Sequence, residues 1–399
     1  MRPWDINLRP QPWPCSRFQA GFFTEIGIKT FGANEHTTDV NVLKIWTPTQ
    51  DALAMLKGFG PNSPETTLLN MINADAGEEV IDNGIRGHFN VTGDLEYEAG
   101  IGFWGRYFFP HNISFAVSLP IYSMRLKNVN FMDLTSEGMN AQDVSVRENL
   151  TDNFFDVVHS LDPELNLIGW SRTGIGDIAL ITEWYRDFPQ AKPLVKNVSL
   201  TVRSGMTLPT GEKINENDIF SIPFGFDGSA SLFIGGGIGV NWLYHLRWGI
   251  DFQFFHLFGN TRERRIKIAD RQTEFLFLAQ DKVFKDPGFV QRYNLFVEGF
   301  HIFHGLTASM VYQFYKRSDD SLAICSNAFN PNIANTANSL LEWTTHNALI
   351  KLTYDFQYDL DENTTYFKPQ LGLFYKFSFN GERSVLVNSA GVLYFTLEF

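Results

Sequence analysis

Cysteine is scarce: Cys15 and Cys325 are the two in 399 residues. Two are too few for a disulfide scaffold, and neither has a His or Cys at metal-ligand spacing. Cationic residues are short too, with 32 Lys and Arg against 44 Asp and Glu, a formal charge of −12. No basic run occurs, which excludes a nucleic-acid binder, because affinity for phosphate backbones comes from clustered Lys and Arg. Long apolar runs are also missing. None reaches the roughly 20 residues of a transmembrane helix, so a helical membrane protein is excluded. No apolar stretch follows Met1, Arg2 and Pro3, and this is neutral as to compartment.

Rings and glycine are plentiful: aromatic residues make up 15% of the chain, led by 38 Phe, beside 32 Gly. Such a composition excludes disorder. Its arrangement has a period of two. Gly391, Leu393, Phe395, Leu397 and Phe399 alternate with Val392, Tyr394, Thr396 and Glu398. Leu371, Leu373, Tyr375 and Phe377 face away from Lys368, Gln370 and Lys376, and Ile350, Leu352 and Tyr354 from Lys351, Thr353 and Asp355. Trp248, Ile250 and Phe252 oppose Arg247 and Asp251, and Leu200 and Val202 oppose Arg203. Near the start, Phe22 and Ile26 oppose Glu25, and Tyr97, Ala99, Ile101 and Phe103 oppose Glu96 and Glu98. About twelve such segments occur, each long enough for the roughly 9 to 11 residues of a tilted membrane strand.

Connections alternate between short and long. Short ones fall at 110–112, 188–192, 243–245, 304–305 and 360–363. Long ones lie around 33–84, 135–172, 210–225, 261–287, 319–340 and 381–389. Tight turns on one rim and long loops on the other are the layout of an outer-membrane barrel. Soluble sandwiches and jelly rolls also alternate, but their strands usually need only about 5 or 6 residues. Here aromatic residues also cap the apolar stretches, as in Trp104 with Tyr107 to Phe109, Trp242, Trp248, Phe377 and Phe379, which suits girdles at two headgroup levels. The expected fold is all-β: a closed antiparallel transmembrane barrel spanning 16–399, with residues 1–15 (Pro10, Pro12, Pro14) as a periplasmic lead-in.

The C-terminal strand ending in Phe399 resembles the signature by which bacterial outer-membrane barrels are recognised for assembly. That resemblance implies the barrel-assembly machinery and outer-membrane lipid as partners. Gly174-Ile175-Gly176-Asp177, then Leu208-Pro209-Thr210-Gly211-Glu212-Lys213 and a glycine-rich strand from Gly235 to Gly239, is similar to a family of outer-membrane channels typified by the meta-pathway phenol degradation protein. This second resemblance implies import of small, often hydrophobic compounds. From the residues alone, Gly174 and Gly176 permit a bend at the head of a strand, and Pro209 with Gly211 ends the next one.

A twelve-strand cylinder has a radius on the order of 12 Å before side chains narrow it. The lumen-lining candidates are Glu25, Asp94, Glu96, Glu98, Glu183, Arg203, Arg247, Asp251, Glu298, Lys351, Asp355, Lys368 and Lys376. Two readings stand for them: an acidic wall at 94, 96 and 98 facing a basic one at Arg203 and Arg247, or interstrand pairs that satisfy one another. Val146, Leu150, Phe154, Val158 and Leu161 recur at helical spacing within the long loop, which suits either a flap over the pore or a helix in the headgroup layer. Stretches 51–56 and 66–72 suggest further helix. Cys15 and Cys325 belong to opposite sides of the membrane and should not pair.

The expected function is passive uptake of a small solute without cofactor or metal. The rival is an adhesin or envelope-structural protein that uses the barrel as an anchor. A lipid hydrolase ranks third; its best candidate residues are His346, Asn347 and Ser339, and adjacent strand positions point to opposite faces.

Overall fold

The computed structural model describes residues 17–27, 30–138, 140–243, 245–356, 368–387 and 390–398. Twelve long strands follow one another around a closed antiparallel sheet. They are β1 (Phe18–Gly27), β2 (His88–Phe109), β3 (Ile113–Asp133), β4 (Ile178–Pro189), β5 (Val195–Leu208), β6 (Ser231–Trp242), β7 (Leu246–Leu257), β8 (Val290–Phe303), β9 (Leu306–Arg317), β10 (Trp343–Asp355), β11 (Lys368–Glu382) and β12 (Ala390–Glu398). Closure comes from β1 pairing with β12, Gln19 opposite Glu398 through to Gly27 opposite Ala390. Each of the twelve thus has a neighbour on both sides, which removes the barrel's open edge. A short strand, Trp170–Ile175, runs beside the upper part of β3, while β4 runs beside its lower part, with Gly176 and Asp177 between them.

The outward faces carry the apolar residues. Ile234 is 62% exposed, Leu373 54%, Leu295 51% and Leu352 43%, and Phe395 packs its ring 6.0 Å from that of Phe22 on the same outer wall. In water every square ångström of that belt would be unfavourable by about 25 cal/mol, so its solvent is hydrocarbon. Among the described residues no helix is long and apolar enough to cross a membrane; the strands do so. Cys325 is exposed in a long loop. Its counterpart Cys15, the lead-in 1–15, the turn at 360–363 and Phe399 lie outside the described residues.

The long connections fold together into a cap with its own core. Helices α1 (Ala52–Met55) and α2 (Pro64–Ala76) come from the first connection, α3 (Ala141–Val146) and α4 (Phe154–Leu161) from the second. The first three starts follow local chemistry: the Asp51 carboxylate accepts from Ala54 N–H, Ser63 Oγ from Thr66 N–H and Asn140 Oδ1 from Gln142 N–H. A π-helical turn, Arg147–Thr151, continues α3. Val146, Leu150, Phe154 and Val158 are buried together with Leu53, Met55, Leu56, Ile72 and Phe89, the last of these on β2. The amphipathic stretch therefore packs into the cap and against the barrel mouth, and does not lie in the headgroup layer.

Side chains stitch the cap to itself and to the rim. Asn41 brackets Gly93 of β2, donating to its carbonyl at 2.9 Å and accepting its N–H at 3.2 Å. Arg86 joins the first two connections through Asp143 at 2.5 Å and the Ile81 carbonyl at 2.7 Å. Asp227 takes Arg262 at 2.7 Å and Arg264 at 2.9 Å, tying the third connection to the fourth. Sequence spacing shows no metal constellation, yet the fold brings Asp51, Asp82 and His88 within 4.8 Å of one another. Ala54 N–H on Asp51, with Gly84 N–H and Arg271 on Asp82, engages those carboxylates within the cap.

Candidate functional site

Inward positions of the wall build a hydrogen-bonded belt that runs from β4 to β11. Arg203 on β5 reaches Glu183 on β4 at 2.5 Å and Asp251 on β7 at 3.4 Å. Asn294 on β8 donates to Asp251, Gln313 on β9 to Asn294, Asn347 on β10 to Gln313, and Ser378 on β11 to Asn347. Glu183, Arg203 and Asp251 are each no more than 4% exposed. Strand β6 contributes glycines here; a Cβ on Gly237 would stand 3.2 Å from the Asp251 carboxylate and one on Gly235 2.7 Å from the Gln253 side chain. Nearer the short turns, Arg247 takes Ser199 Oγ as acceptor at 3.0 Å, pairs with Glu298 at 3.6 Å and lies 5.0 Å from the Phe296 ring centroid.

Glu25 is buried and accepts the Tyr97 hydroxyl at 2.9 Å. Lys351 lies 5.1 Å from the Tyr394 ring centroid. Asp355 and Lys368 are buried inward, and Lys376 is half-buried. Asp94, Glu96 and Glu98 require a correction. Their expected inward direction assumed unbroken alternation through β2, but the register slips by one between Tyr97 and Ala99. Glu98 is the extra residue, and a one-residue slip exchanges the faces. Tyr97 therefore turns inward, and the acidic ladder turns outward, above the apolar belt. There Glu96 pairs with Arg125 at 2.8 Å and Lys127 at 2.6 Å, Glu98 with Arg125 at 3.2 Å, and Asp94 accepts from Asn128. No acidic wall faces Arg203.

Alternation of polar and apolar faces gave no sign of an apolar patch on the inner wall beside that belt. Phe23, Phe296, Val311, Leu349, Phe374, Val392 and Tyr394, from β1 and β8 to β12, form a buried apolar cluster on the inner face. Adjacent apolar pairs such as Phe22-Phe23 and Leu373-Phe374, apolar on both faces at once, are the signal that could have revealed it. Inner glycines make room for these rings: a Cβ on Gly102 would fall 1.9 Å from Phe23, and one on Gly372 1.9 Å from Tyr394.

The two motifs of the mid-chain resemblance meet. Asp177 accepts Gly211 N–H at 2.9 Å and Phe226 N–H at 2.6 Å. Thr210 Oγ1 donates to the Gly176 carbonyl, and Glu212 pairs with Arg172 at 3.0 Å. They form a clasp where the wall steps from Trp170–Ile175 to β4. The hydrolase candidates do not assemble: His346 sits in an outer aromatic cluster with Tyr312, Phe314 and Phe379, whereas Asn347 points into the lumen belt.

Above the lumen the cap encloses a half-open cleft of about 190 Å³, lined in part by Trp46, Phe220, Phe275, Lys267 and Glu274. Burial pushes the Glu274 carboxyl above its ordinary range. Burial likewise raises Glu216 on the same wall, despite the neighbouring Arg262 and Arg264.

No family model and no curated protein matches the chain. Solved structures do. An outer membrane channel from Pseudomonas putida F1 aligns over 100% of both chains with a TM-score of 0.51 at 10% identity, which establishes a shared fold. The CymD monoaromatic hydrocarbon channel (TM-score 0.34, 12% identity, 100% of this chain and 93% of its own) is more distant. So is the NanC porin (0.31, 9%, 77% and 97%). The fold is that of outer-membrane channels.

Proposed function

We propose that this protein is a gated outer-membrane channel through which small solutes, aromatic and apolar ones foremost, pass down their gradient. The mixed lining carries this reading. A run of hydrogen bonds from Glu183 and Arg203 to Ser378 crosses the inner wall from β4 to β11, and such a network holds its shape. Beside it, on β8 to β12 and β1, lies an apolar patch that includes the rings of Phe23, Phe374 and Tyr394. A ring-bearing solute can exchange water for that patch at little cost, while the neighbouring polar side chains offer hydrogen bonds to one polar group. An anchor for surface loops would gain nothing from such a lining. The cap core supports gating, since solute entry from the long-loop side requires its connections to part. Diffusion needs no nucleotide or cofactor.

Conductance in a planar bilayer tests the reading. The purified chain should give reproducible small steps that become larger or more frequent in Leu150→Asp, which places a charge in the cap core at a residue 0% exposed. A barrel that inserts and gives no steps in either form is instead the membrane anchor of a surface-interaction protein.

A further inference from the structure

We infer that the cap cleft is a capture site for a single aromatic ring bearing one carboxylate. This rests on the channel reading above and deepens it by naming the class of solute. The space fits: about 190 Å³ is somewhat more than the roughly 150 Å³ of an engineered cavity that takes up benzene. One wall is already aromatic. The ring centroids of Trp46 and Phe220 are 5.2 Å apart, with Phe275 5.9 Å from each, spacing at which a further ring finds both edges and faces.

The charged lining then decides the polar end. Its anions are engaged: Glu216 holds Arg262 at 2.7 Å and Arg264 at 3.4 Å, Asp218 accepts from Asn166 and Asn215, and Glu274 accepts Asn338 N–H at 2.8 Å. Two of its cations are engaged as well. Arg265 is spent on Asp162, Asn217 and two backbone carbonyls, and Lys285 holds Asp320 at 2.7 Å. What remains is positive. Half-buried Lys267 takes no hydrogen-bond or ion-pair partner among the described residues, and the Nε of Arg264, a residue 5% exposed, has no acceptor. Burial raises the carboxyl of Glu274, the group that acts on Lys267 through space. A neutral aromatic would leave both donors unmet, whereas a carboxylate answers them with charge-assisted bonds.

Calorimetric titration of the full-length chain in detergent, with benzoate and with benzyl alcohol as its neutral counterpart, tests this site without any membrane. Benzoate should bind saturably and more tightly than benzyl alcohol. Lys267→Gln should weaken benzoate by about tenfold and leave benzyl alcohol unchanged, and Phe220→Ala should weaken both. Circular dichroism of each variant confirms the barrel. Equal affinity for the two probes, undiminished benzoate binding in Lys267→Gln, or no saturable binding overturns the proposal. Channel steps without benzoate binding remove the capture site alone; benzoate binding without channel steps keeps the site and removes the channel reading.

Discussion

At the scale of single residues, the same pair of amino acids has different consequences on the two faces of one wall. Arg203, 4% exposed, is the cation between Glu183 and Asp251. Replacing it by Ala leaves two buried carboxylates facing each other, and should destabilise the barrel by about 3–5 kcal/mol in a urea titration in detergent. Arg125, on the outer wall with Glu96 and Glu98, has a side chain 42% exposed. Its replacement by Ala should leave the urea midpoint nearly unchanged, because solvated pairs contribute little. Equal losses would contradict the assignment of faces. Arg203, Glu183 and Asp251 meet on one face, as alternation expects, because the register of β4, β5 and β7 is unbroken around them. Alternation misplaced Asp94, Glu96 and Glu98 because a bulge adds a residue without altering composition, and period counting cannot register it.

At the scale of elements, the strands were legible because lipid on one side and polar side chains on the other impose a strict alternation. Helix α4 was legible because its buried face repeats at three and four residues. Hidden from that reading was the fit of large inner side chains against inner glycines on neighbouring strands, since the partners are far apart in sequence. Tyr394 against Gly372 is one such fit, with a Cβ on the glycine 1.9 Å from the ring. Gly372→Ala should therefore cost about 1–3 kcal/mol through overpacking, read as a lowered urea midpoint. Gly391, outward on β12 with nothing within 4 Å of its added Cβ, should tolerate Ala with no loss. A matching loss at both would mean that the inner wall yields and is not packed.

At the scale of the whole molecule, the barrel and its cap are two cores joined at the mouth: a polar and apolar filling between the strands, and a folded layer of loops above. The barrel follows from alternation and loop lengths. The cap does not, because its core gathers residues from several long connections, such as Leu43, Leu56, Leu150, Phe220 and Leu276, whose local patterns carry no information about one another. On the proposed reading they make the passage one that is closed at rest and opened by displacement of side chains and loops. Uptake of labelled 4-hydroxybenzoate into proteoliposomes tests this most directly, because its charge keeps it from leaking through lipid. Entry should be faster than into protein-free vesicles, and faster again with Phe23→Ala, which removes a ring from the inner apolar patch. Rates equal to those of protein-free vesicles for both forms would contradict the channel reading.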